Sequence, residues 1–177
     1  MKNSILPIAV FVITLISSLQ LTAQEFKSLD KSPMDVAAFP SSYKISDKIV
    51  KVIYSRPQLN GRDLVKLALP EKIWRTGANE AAEITFYKDV VFGGKALKAG
   101  TYSLFTIPSY DGDWTVIINR ARNVWGSYYY KQDQDVVRIS GKTSKTEENI
   151  EAFSMMFDKD MTLKMGWGKT VISVSIK

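Results

Sequence analysis

Trp74-Arg75-Thr76-Gly77-Ala78-Asn79-Glu80-Ala81 gathers an indole, a guanidinium, a hydroxyl, an amide and a carboxylate around a glycine, between segments of alternating apolar residues. A guanidinium in a loop binds carboxylates and phosphates through its bidentate fork. Arg56 and Arg62 lie in neighbouring loop sequence and could converge with Arg75 on such an anion. They could equally form internal ion pairs, with Glu80 the nearest obvious partner for Arg75, because dense loops need internal hydrogen bonds to hold their shape. Asn79 suits either an Asx turn or a ligand contact. Gly77 and Gly61 read first as turn residues and second as places where backbone approaches a ligand.

Aromatic residues form a second group. Trp74, Trp114, Trp125 and Tyr128 to Tyr130 could supply a glycan-stacking platform. Trp114 belongs to an alternating strand face and is expected in the core, whereas Trp125 and the tyrosines fall outside any alternation. The carboxylates close in sequence to these motifs are Glu80, Glu83, Asp111 and Asp113. A glycosidase-like pair needs two of them roughly 5 to 10 Å apart, which sequence spacing does not establish. Asp133-Gln134-Asp135 and Asp158-Lys159-Asp160 have oxygen ligands but read as solvated turns. No metal site and no cofactor are expected.

Composition narrows the chemistry further. The chain has 177 residues with no histidine and no cysteine. A Ser-His-Asp triad, a thiolate nucleophile and a zinc centre of the usual His and Cys type are therefore excluded, as are disulfides and lipid attachment through a thiol. Carboxylate pairs, a perturbed Lys or Tyr, or a hard cation on oxygen ligands remain. The formal net charge is +6. Its cations are scattered along the chain, so no nucleic-acid partner is expected.

The elements that must position these groups are strands. Val50, Val52 and Tyr54 alternate with Lys51, Ile53 and Ser55 until Pro57. Ala82, Ile84 and Phe86 alternate with Glu83, Thr85 and Tyr87. Val90 to Phe92 leads into Gly93-Gly94, a hairpin signal, and Tyr102 to Ile107 runs from Gly100 to Pro108. Trp114, Val116 and Ile118 share a face after the Asp111-Gly112 turn. Residues 120–135 read as a long aromatic loop. Val136 to Ile139, Ile150 to Phe157, Met161 to Trp167 and Val171 to Ile176 give four further strands, and only Asp63 to Leu69 looks helical. The expected architecture is a single-domain, all-β antiparallel sandwich, jelly-roll-like, over residues 43–177, preceded by an extended leader over 24–42 that could hold an early strand.

The first residues address the chain. Lys2 supplies a positive start, Ile5 to Ile16 is almost wholly apolar, and small and polar residues follow to Ala23. The apolar run is shorter than the roughly 20 residues of a spanning helix. It reads as a secretory signal peptide over residues 1–23, cut after Ala23, leaving no further membrane span and a periplasmic or secreted protein. Loss of Lys2 with the leader lowers the formal charge from +6 to +5.

Several ordered blocks carry a family resemblance: Tyr54-Ser55-Arg56-Pro57 with Gly61-Arg62; Trp74 to Ala81; Gly100-Thr101-Tyr102-Ser103-Leu104-Phe105-Thr106-Ile107-Pro108; Trp114-Thr115-Val116-Ile117; and Trp125-Gly126. Together, from about Ser32 to Lys177, they resemble the DUF2911 family of exported proteins, found largely in Bacteroidetes-type bacteria. The resemblance implies a β-rich exported domain. It implies no activity and transfers no catalytic or cofactor residue.

Three functional readings follow from the residues. The first is a non-catalytic module that binds a small polar or saccharide-like ligand, or a cell-envelope component, through Arg56, Arg62, Trp74, Arg75, Asn79, Glu80 and Trp125. The second is a glycosidase-like hydrolase using Glu80 and a second carboxylate. The third is a structural envelope module whose motifs preserve the fold. Oligomeric state is left open by the sequence.

Overall fold

A computed structural model describes residues 26–177. The expected signal peptide and its cleavage point lie outside the described residues. Nine strands appear in chain order: β1 (Met34–Phe39), β2 (Val50–Ser55), β3 (Ala82–Phe86), β4 (Val90–Phe92), β5 (Lys95–Leu97), β6 (Gly100–Ile107), β7 (Trp114–Asn119), β8 (Asp135–Phe157) and β9 (Leu163–Val174). The only α-helix among the described residues is the single turn α1 (Leu64–Leu67), inside the segment expected to be helical. No described helix is long and apolar enough to cross a membrane.

Seven strands form one antiparallel sheet in the order β1-β2-β3-β6-β7-β8-β9, and β4-β5 form a separate hairpin. Gly93 and Gly94 take φ of 54° and 85°, the left-handed pair that a tight two-residue hairpin turn requires. The hairpin docks on the chain end, where Val91 and Lys177 exchange backbone hydrogen bonds of 2.6 and 2.9 Å. The alternation read from sequence is realised in space. Val50, Val52, Tyr54, Ile84, Phe86, Leu104, Trp114, Val116 and Ile118 all face the main core.

The last four strands expected from sequence are two. β8 runs through the polar stretch 142–149, and β9 runs through Gly166 and Gly168. Residues 142–145 of the polar stretch pair with β9, and no residue of 142–149 is buried, so the stretch carries no burial pattern to betray a strand. Register shifts near Ile150 insert extra residues on the β8 side. Bulges of this kind bend a strand and increase its twist. The bend returns the end of β8 to the continuation of β2, where Gln58 bridges Ala152 and Leu59 N–H donates to Glu151 O at 3.0 Å. The two layers around the core are thus halves of one curled sheet.

An aromatic group fills one end of this core. Trp74 stacks on Trp167 at 5.4 Å between ring centroids and meets Phe153 and Trp114 edge-on at 5.0 and 6.1 Å. A smaller cluster, Ala81, Phe105 and Ile117, sits on the opposite face of β6 and β7 beneath Ile73, Val124 and Tyr130. The second cluster exists because two loops cover the outer face there, and these are the two loops that carry the polar and aromatic motifs.

Candidate functional site

Trp74 and Ala82 both pair along one edge of β6. Trp74 exchanges backbone hydrogen bonds with Thr106 at 2.7 and 3.0 Å, and Ala82 registers with Leu104. Three residues of β6, 104–106, therefore face nine residues of the opposing chain, and residues 75–81 must loop out. Ala82 N–H closes that excursion on Arg75 O at 3.0 Å. Thr76 and Asn79 take left-handed φ of 54° and 60° within it. Thr76 is fully buried, its hydroxyl 3.3 Å from the Thr106 hydroxyl. Gly77 is required by close approach, since a Cβ there would lie 3.0 Å from the Ser55 carbonyl oxygen.

The excursion is laced to the aromatic loop. Ala81 N–H donates to Val124 O at 3.0 Å, Gly126 N–H donates to Asn79 O at 2.9 Å, and Glu80 bridges Trp125. The aromatic loop is itself clamped to the sheet by Asn119, whose amide donates to Lys131 O at 3.0 Å and to Asp135 Oδ1 at 2.8 Å, and whose oxygen accepts Ala121 N–H at 2.9 Å. Tyr130 donates its hydroxyl to Asp135 at 2.7 Å and packs edge-on against Phe105. Burial, reinforced by the Asp135 carboxylate, pushes the Tyr130 hydroxyl up to about 12. Both loops are thus held by hydrogen bonds and packing at several points.

The residues singled out by sequence separate into two groups. Arg56 is a strut: it donates to Asp35 Oδ2 at 3.0 Å, Phe153 O at 3.1 Å and Ser154 Oγ at 2.7 Å, joining β1, the end of β2 and β8. Arg62 donates to the Leu59 and Gln58 carbonyls, both at 2.8 Å, and ties its own turn. Trp74 is packed in the core and Trp114 more deeply so. Arg56 and Arg62 are thus both engaged with other groups of the fold.

Arg75, Asn79, Glu80 and Trp125 form the second group. Two buried side-chain nitrogens among the described residues lack a hydrogen-bond partner, Trp114 Nε1 and Arg75 Nε. Trp114 Nε1 belongs to the aromatic core group. Arg75 instead lines a cavity of about 140 Å³ with Lys72, Ile73, Trp74, Ser127, Leu67 and Leu69. No carboxylate lines it, and the alternative Arg75 to Glu80 ion pair is not among the salt bridges of the described residues. Two cations in one concavity can accept an anionic group. Lys72 and Ser127 were not singled out by sequence. Lys72 lies three residues before Arg75 in a loop, where no periodicity marks it, and Ser127 reaches the cavity only through the pairing of the two loops.

Glu80 and Glu83 line a different cleft, of about 250 Å³, with Asn123, Ser55, Ala81, Ile53 and Met34. Glu83 accepts Asn123 N–H at 2.6 Å, so one of its oxygens braces the aromatic loop. Glu80 is exposed. Asp113 lies elsewhere, accepting Thr143 N–H at 2.7 Å. In the aromatic loop Trp125, Tyr128 and Tyr129 are 57%, 78% and 77% exposed, whereas Tyr130 is half-buried. No group of three or more acidic side chains placed to hold a metal ion occurs among the described residues.

No curated protein and no solved structure matches this chain. Residues 32–176 match the family described as "Protein of unknown function (DUF2911)", a span that includes every element from β1 to β9, and the chain belongs to that family.

Proposed function

We propose that this protein is a non-catalytic binding module that receives an anionic group of its ligand in the cavity formed by Lys72, Arg75 and Ser127. One observation carries the reading: Arg75, which has no carboxylate partner among the described residues, lines a cavity that holds a second cation, Lys72, and no carboxylate. An Arg with no carboxylate partner keeps its charge available for an anion that enters the cavity. A carboxylate, phosphate or sulfate group in the cavity would pair with the guanidinium and the Lys72 ammonium. The test is thermal stabilisation by inorganic phosphate and by succinate, compared between the wild type and Arg75→Gln. Stabilisation that grows with ligand concentration in the wild type and vanishes in the variant is expected. Equal responses of the two proteins would overturn the assignment of Arg75.

A hydrolytic reading is favoured by one feature, the shared cleft of Glu80 and Glu83. Its discriminating change is Glu80→Gln, which should abolish turnover on glycan or ester substrates if this pair does acid and base work. The structural reading accounts for Arg56, Arg62 and Trp74, whose contacts are all internal. We further propose export to the periplasm or beyond, on the strength of the leader sequence. N-terminal sequencing of protein from fractionated cells should find Gln24 first, and an intact Met1 on membrane-embedded product would overturn it.

A further inference from the structure

We infer that the ligand is an anionic saccharide, stacked on Trp125 and Tyr128 with its carboxylate or sulfate seated at Arg75 and Lys72. This rests on the anion-binding reading above and adds the chemistry of the rest of the ligand. Its starting point is a juxtaposition: Tyr128 and Arg75 both lie against Gly126. A Cβ on Gly126 would fall 2.8 Å from the Tyr128 ring and 3.6 Å from an Arg75 terminal nitrogen, so this glycine lets an exposed ring lie beside the cationic cavity. The next residue, Ser127, lines the cavity and donates its hydroxyl to Ile73 O at 3.2 Å. On the other side of Gly126, Trp125 is held by its backbone bridge to Glu80 while its indole remains in solvent.

Exposed rings held on an anchored loop are available to a ligand, whereas Tyr130 is packed against Phe105. A pyranose has apolar C–H faces and a polar rim, which matches an aromatic surface bordered by hydrogen-bonding groups. The charge sign is set locally. The cavity side offers Arg75 and Lys72, while Glu80 and Glu83 occupy the cleft at the Asn123 end of the same segment. An acid group is therefore accepted toward Ser127 and repelled toward Asn123. An anionic lipid surface is a poorer match because Arg75 is recessed, with Nε buried.

The test is calorimetric titration of the purified protein with tetragalacturonate, a sulfated tetrasaccharide and neutral cellotetraose, alongside Arg75→Gln, Trp125→Ala and Tyr128→Ala. At least one anionic oligosaccharide should bind, with cellotetraose at least about tenfold weaker, and each substitution should weaken binding about tenfold, or about 1.4 kcal/mol. The carboxylated and sulfated probes distinguish the two sources of the anion. Circular dichroism of each variant checks that folding is retained, and Trp125→Tyr, which keeps an aromatic face, should recover most of the lost affinity. Binding of cellotetraose as tight as the charged probes would overturn the anionic element. Phosphate binding through Arg75 with no saccharide binding, or saccharide binding indifferent to Trp125 and Tyr128, would overturn this inference and leave the anion site standing. Binding to vesicles of anionic lipid but to none of the oligosaccharides would assign the platform to a membrane surface instead. Loss of both phosphate and saccharide responses would remove the two readings together.

Discussion

Arg75→Met separates a residue kept for binding from one kept for the fold. The substitution retains most of the aliphatic stem that packs at the cavity wall and removes the guanidinium, including its buried, unpartnered Nε. If the guanidinium were the hub of a buried ionic network, breaking it would cost about 3–5 kcal/mol through the partner left behind. The side chain has no hydrogen bond or salt bridge among the described residues, so that term is absent. What remains is a small loss of packing against relief of an unsatisfied donor worth about 1–3 kcal/mol. The two oppose, and the net change should lie between neutral and about 1 kcal/mol of stabilisation. For a domain of this size about 1 kcal/mol corresponds to a Tm shift of roughly 2–4 °C. Urea denaturation followed by tryptophan fluorescence, with an unchanged m value, is the assay. The variant should be at least as stable as the wild type while losing its response to phosphate. A loss of more than about 2 kcal/mol would show that Arg75 is structural and that the reasoning from its missing partners is wrong.

Arg56→Ala should do the opposite and cost about 2–3 kcal/mol: about 1 kcal/mol for each of its bonds to Phe153 O and Ser154, and about 0.5 for the ion pair, whose side chains are 35% and 42% exposed. Phosphate binding by the folded fraction should persist, as a titration below the unfolding transition would check. Gly77→Ala should lose about 1–3 kcal/mol in the same melts, because its Cβ would press on the Ser55 carbonyl at 3.0 Å and neither backbone can yield cheaply. Alkaline pH should destabilise the fold through Tyr110 and Tyr130, both pushed up to about 12, mainly by burial. Their hydroxyls ionise near 10 in the unfolded chain, so the stabilisation is complete below about pH 10 and falls away between about 10 and 12. Tyr110→Phe should flatten that fall in Tm measured across the range, and an unchanged slope would show that its titration does not matter to folding.

Strand alternation was legible wherever one face of the sheet is buried and the other solvated, as at Val50 to Tyr54, Ala82 to Phe86 and Trp114 to Ile118. Such a pattern is a local consequence of the two-residue side-chain period, so the sequence carries it without knowledge of partners. Gly93-Gly94 was legible for the same reason, since the turn's positive φ values are a property of those residues alone. The absence of His and Cys likewise excluded whole chemistries by composition. The unity of β8 was illegible because residues 142–149 are solvated on a ribbon with no buried face to write a period. Four motif residues that look alike in sequence were divided by tertiary structure: Arg56 and Arg62 found carbonyl and carboxylate partners, Trp74 entered the core, and Arg75 was left facing a cavity. Residue type states which bonds a side chain can make. Only the return of β8 onto β2 and the pairing of residues 79–81 with 124–126 decided which of those bonds are already used, and so which groups remain for a ligand.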